Sequence, residues 1–96
     1  MYVSVTTCDT SGAPSDTGPI VGEEMDGWLS SLEGYRGLLL LTRENETLGL
    51  AFWESEEAAT RHDALRTEFR ERMLGLAGVT IEGVTGYDVD FARVEL

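Results

Sequence analysis

Lysine is missing from this 96-residue chain, and its seven basic residues, all arginine, face 18 acidic ones for a formal charge of -11. Without lysine there is no Schiff-base chemistry, no pyridoxal attachment point and no phosphate-loop lysine. So acidic a chain repels nucleic acid and anionic membrane surfaces unless a local basic patch offsets it, and no such patch is present. Neither nucleic acid nor membrane is therefore expected as a partner. Cysteine occurs once, as Cys8, which rules out an internal disulfide. Histidine also occurs once, as His62, so the two together cannot furnish a three-ligand His or Cys metal site, although carboxylate-bound Mg²⁺ stays open. Apolar runs reach no further than Leu38–Leu41, far short of the ~20 residues that span a bilayer. The opening Met1-Tyr2-Val3-Ser4 lacks the basic and long apolar regions of a secretory signal, so a cytoplasmic protein is expected.

The length suits a single domain, residues 1–96, and a chain this short gains from a second copy that adds buried surface. Tyr2–Thr7 is mostly β-branched or aromatic and predicts a first strand. Cys8–Gly18, rich in Ser, Thr, Asp, Gly and Pro, predicts a surface loop. A helix follows, with Pro19 in its first turn and Glu23, Glu24 and Asp26 expected to complement its positive end. Its apolar stripe is Val21, Met25, Trp28 and Leu32, and Gly34 is placed to end it. Tyr35–Arg43 predicts a strand apolar on both faces, with Leu38 and Leu40 pointing one way and Leu39 and Leu41 the other. A polar turn, in which Asn45 tolerates positive φ, returns the chain into a strand at Thr47–Trp53. That strand sets Leu48, Leu50 and Phe52 against Gly49, Ala51 and Trp53.

From Ser55 to Leu74 the period is helical: Ala58, His62, Leu65, Phe69, Met73 and Leu76 share a sector roughly 80° wide. Gly75–Gly86, with four glycines, predicts a turn and irregular structure, and Tyr87–Leu96 a terminal strand. The order β-α-β-β-α-β is that of an α+β, ferredoxin-like fold: a four-stranded antiparallel sheet with two helices on one face. Two helices cover only that face, yet the second strand is apolar on both. A homodimer through the other sheet face is the economical solution.

The runs Gly34-Tyr35-Arg36-Gly37-Leu38-Leu39-Leu40 and Leu50–Ala59, with His62 nine positions after Trp53, resemble the antibiotic biosynthesis monooxygenase-like family of dimeric α/β barrels. The resemblance implies a dimeric barrel, a small-molecule substrate and, in its aromatic-oxidising members, no metal or flavin cofactor. In those members the substrate is deprotonated to an electron-rich anion that reduces O₂ directly, which requires a base, a dry pocket and donors for the oxyanion. Trp53 matches a pocket tryptophan of the family. The asparagine that accompanies it four residues earlier is Gly49 here. The haem-degrading branch fits less well, since its iron-ligating histidine falls near Arg72.

The candidate site is thus His62 as base, with Trp53, Gly49, Ala51, Leu65 and Phe69 forming a substrate pocket. Each has a plainer reading beside it. An imidazole of pKa ~6.5 suits proton transfer at neutral pH, or His62 is a core histidine with both ring nitrogens hydrogen-bonded. Trp53 shapes a pocket, or it is a core aromatic beside a Gly49 filled by a neighbouring side chain. Cys8 has no evident base and reads as a part-buried strand-end residue. Arg66, Arg70 and Arg72 read as partners for Glu68, Glu71 and nearby carboxylates. The functional alternatives are a cofactor-independent monooxygenase and a non-catalytic dimeric ligand-binding or pathway accessory module.

Overall fold

The computed structural model describes residues 1–11, 18–61, 68, 71–72 and 78–95. Its elements run β1 (Tyr2–Asp9), α1 (Gly18–Leu29), β2 (Tyr35–Arg43), β3 (Glu46–Trp53), α2 (Glu56–Thr60) and β4 (Thr80–Asp88). Glu68, Glu71 and Arg72 are helical as well. The four strands form one sheet in the order β2-β3-β1-β4, every neighbouring pair antiparallel. This is the expected βαββαβ ferredoxin-like arrangement, with both helices on one face.

β3 shows most clearly how residue type chooses a face. Thr47, Gly49, Ala51 and Trp53 are buried, whereas Leu48, Leu50 and Phe52 are half-buried. The helices therefore lie over the side with the smaller residues, and the bulky leucines face away from them. The same alternation puts Ser4 and Cys8 of β1 on the covered face. Val3 and Val5 of β1, Leu39 and Leu41 of β2 and Tyr87 of β4 pair in register with the outward residues of β3 and β1. That outer face is apolar and still open: Leu41 keeps 46% and Tyr87 55% of its surface exposed.

Two bulges adjust the register. Tyr35 pairs with Trp53 and Gly37 with Phe52, so Arg36 is the extra residue, and Tyr35 turns to the covered side together with Leu38 and Leu40. Arg36, displaced outward, reaches Glu54 at 3.1 Å. On the other side, Thr7 pairs with Gly83 but Cys8 with Ile81, leaving Glu82 as the extra residue.

Several expectations are corrected. The last strand is Thr80–Asp88, inside the stretch read as irregular, while residues 89–95 are unpaired apart from a bond from the Val89 N–H to the Met1 carbonyl, 2.9 Å. Glycines 83 and 86 suggested a turn, but tertiary pairing with β1 holds them in a strand. The first strand runs two residues further than read, to Asp9. α1 begins at Gly18, so its first turn holds no acidic residue and the carboxylates at 23, 24 and 26 lie beyond it. Its buried stripe is Val21, Met25 and Leu29, with Trp28 half-buried. In the β2–β3 turn Glu44, not Asn45, has positive φ, at 51°. Gly34 has a φ of 90°, but α1 already ends at Leu29, so this glycine does not end the helix as expected; it sits in the turn that leads into β2, where its carbonyl accepts the Glu54 N–H at 2.9 Å.

Candidate functional site

The expected pocket residues divide into two groups. Gly49, Ala51 and Trp53 come together on the helix-covered face of β3, as read from their alternation. His62, Leu65 and Phe69 lie outside the described residues. α2 is set over the sheet by its N-cap: Ser55, extended at φ -157° and ψ 166°, accepts the Ala58 N–H on its hydroxyl at 3.1 Å, and Glu56 and Glu57 occupy the first turn. Ala58 and Ala59, 4% and 1% exposed, let the helix approach closely.

Trp53 is 4% exposed and is fixed from two sides. Its indole N–H donates to the Ser4 hydroxyl at 3.2 Å, and the Tyr35 ring meets it edge-on with centroids 5.7 Å apart. Tyr35 in turn donates its hydroxyl to Asp26 Oδ1 at 2.7 Å, linking β2 to α1. Burial, followed by the Asp26 hydrogen bond and charge, pushes the Tyr35 phenol above its ordinary value, so it stays neutral and a donor.

Around Ser4 the floor is made of small groups, because its cross-strand partners are Ala51 and Gly86. Tyr2 lies over Gly86 so closely that a Cβ there would run into its ring and hydroxyl. Gly49 makes less space than its missing side chain suggests. A Cβ there would sit 3.4 Å from Leu40 Cδ2, 3.7 Å from Met25 Cε and 3.9 Å from Thr6 Cβ, so these side chains already border the position. A groove of about 670 Å³ runs between α1 and β2, lined by Pro19, Gly22, Glu23, Asp26, Leu38, Leu40 and Thr42.

Cys8 is buried, and burial, then the nearby Glu82 carboxylate, raise its thiol pKa. A thiol held protonated is a poor nucleophile, which agrees with its plain reading. Among the described residues no three His, Cys, Asp or Glu side chains are grouped as around a metal ion. Among them, too, no helix is long and apolar enough to cross a membrane. Sequence reading missed Ser4 and the Asp26–Tyr35 pair. Alternation put Ser4 on one face of β1, but its meeting with Trp53, 49 positions away, depends on the β1–β3 register. Tyr35 faces inward only through the bulge at Arg36.

The fold recurs in solved structures of low sequence identity. A Deinococcus radiodurans protein described as a candidate antibiotic biosynthesis monooxygenase superposes with a TM-score of 0.68 at 17% identity, over 100% of this chain and 99% of that one. A Streptomyces coelicolor monooxygenase, from the gene ActVA-Orf6 and in complex with nanaomycin D, gives 0.67 at 19%, over 99% and 92%. An Arabidopsis thaliana protein gives 0.62 at 16%, over 99% and 98%. No protein-family model and no curated protein matches the sequence.

Proposed function

We propose that this chain is a small-molecule-binding protein of the antibiotic biosynthesis monooxygenase type. It works as a homodimer and oxidises an aromatic or enolisable substrate with O₂, without metal or flavin. The observation that carries the reading is Trp53, buried on the helix-covered face with its N–H turned to Ser4 above a floor of small residues. It stands in a fold shared with a monooxygenase solved in complex with nanaomycin D. A flat aromatic ligand suits an indole wall, and few polar groups suffice to orient it. His62 is proposed as the base that takes the substrate proton, with Leu65 and Phe69 completing the apolar wall. The resulting anion reduces O₂. One oxygen atom enters the substrate as a carbonyl in place of a CH₂ group, and the other leaves as water with the two hydrogens.

The dimer is proposed to form through the outer sheet face, where Leu39, Leu48, Leu50 and Phe52 lie unshielded by either helix. Its uncharged centre contrasts with the chain's strong negative charge, whose repulsion disfavours contact anywhere else. Solution mass at micromolar concentration should equal two chains, and Leu50→Arg should halve it. A wild-type monomer contradicts the dimer.

Oxygen uptake tests the chemistry: after chelation of metals, anthrones and dihydroxynaphthalenes should drive O₂ consumption, and His62→Ala should lose at least tenfold while remaining folded. Unchanged turnover removes His62 from the mechanism. The second reading, a non-catalytic ligand-binding or pathway accessory module, is favoured by the side chains bordering Gly49 and by the absence of an amide there. It predicts ligand binding without oxygen uptake.

A further inference from the structure

Ser4 is 6% exposed, and its hydroxyl accepts from the Trp53 indole. A hydroxyl also carries a proton to donate, and among the described residues none accepts it. A buried donor without an acceptor is costly, and alanine between Ala51 and Gly86 would remove that donor while taking away the acceptor of the Trp53 indole N–H. The indole has a second contact besides the serine, since the Tyr35 ring meets it edge-on. What the serine adds is a directed donor beside an aromatic wall, on the face where the pocket is proposed.

We infer that the Ser4 hydroxyl is the specificity-determining donor of this pocket, reserved for a carbonyl or phenolate oxygen of the aromatic ligand. The inference rests on the pocket reading above. The Trp53 N–H occupies one lone pair of the Ser4 oxygen, which biases the hydroxyl proton away from the indole and toward a ligand. A ligand oxygen there completes the chain indole N–H to serine to ligand. A ligand lacking that oxygen leaves the hydroxyl unpaired, which is how a polar site rejects an analogue of matching shape.

The test uses the whole chain and two probes of nearly equal shape, 1-tetralone, whose carbonyl only accepts, and tetralin, which has no oxygen. Binding of each is measured to wild type, Ser4→Ala and Ser4→Thr, with melting and near-ultraviolet circular dichroism verifying the fold. The inference predicts that Ser4→Ala weakens tetralone about tenfold, leaves tetralin unchanged, and that Ser4→Thr, keeping the hydroxyl, retains the preference for tetralone. If Ser4 serves only to hold Trp53, Ser4→Ala weakens both probes alike, which overturns the inference. Should Ser4→Ala fail to fold, Ser4→Cys, close in volume and a weak donor, must show the same selective loss or the inference falls. Both probes binding wild type equally overturns the Ser4 role alone. Neither probe binding wild type overturns the pocket and the Ser4 role together.

Discussion

Gly34→Ala is predicted to be among the most damaging single-methyl changes in the described structure. Its backbone sits at φ 90°, a conformation that costs an L side chain about 1–2 kcal/mol. The added Cβ would also lie 2.5 Å from the Ala58 Cβ, in a helix whose neighbouring residues are buried. Relieving such an overlap costs about 1–3 kcal/mol. The two effects act at one site and together remove about 2–5 kcal/mol, against about 5–15 kcal/mol for a typical domain. Urea unfolding should show a lower midpoint with an unchanged slope. The two terms separate in a double-mutant cycle with Ala58→Gly, which removes the overlap but not the backbone strain. In that background Gly34→Ala should cost about 1–3 kcal/mol less. A loss below about 1 kcal/mol in the single variant refutes the reasoning, and a cycle without coupling refutes the contact with Ala58.

Gly27 lies in the interior of α1, exposed and with nothing within 4 Å of a Cβ position, so Gly27→Ala should stabilise by about 0.5–1 kcal/mol in the same urea assay. The raised Tyr35 pKa gives a signed pH effect. The folded protein holds the phenolic proton more tightly than the unfolded chain, so this contribution is complete below the ordinary tyrosine value of 10.0 and falls as pH rises above it. Thermal melts should show a loss of stability above pH 10.0 that is smaller in Tyr35→Phe. Cys8, buried with a raised thiol pKa, should react with a disulfide reagent at least tenfold more slowly in the native protein than in urea, followed by absorbance.

Much of the architecture was legible because periodicity carries it. The alternation of Gly49, Ala51 and Trp53 against Leu48, Leu50 and Phe52 is a local property of β3, and the structure sorts them onto opposite faces as read. Ser55 as N-cap was likewise local chemistry, visible in the residue type, whereas Gly34, read as the end of α1, lies beyond Leu29, where the helix stops. What escaped depended on pairing. Gly83 and Gly86 disfavour a strand taken alone, and only β1 beside them, with Tyr2 lying over Gly86, makes one. The inward turn of Tyr35 needs a bulge that no alternation announces. Ser4 looked like one polar residue of a strand until the register brought Trp53 to it. Leu40 and Met25 reach Gly49 from two other elements, which is why its missing side chain overstated the space there.

The central claim, a small-molecule pocket against Trp53 on the helix-covered face, is tested most directly by the two indole N–H resonances of ¹⁵N-labelled protein, assigned with Trp28→Phe. Trp28 lies half-buried on α1, in a cleft with Glu23, Glu24 and Arg72, and serves as the internal control. Titration with 1-tetralone should move the Trp53 resonance saturably while that of Trp28 stays in place. A Trp53 resonance that does not move up to the solubility limit of tetralone, or a shift at Trp28 alone, contradicts the account.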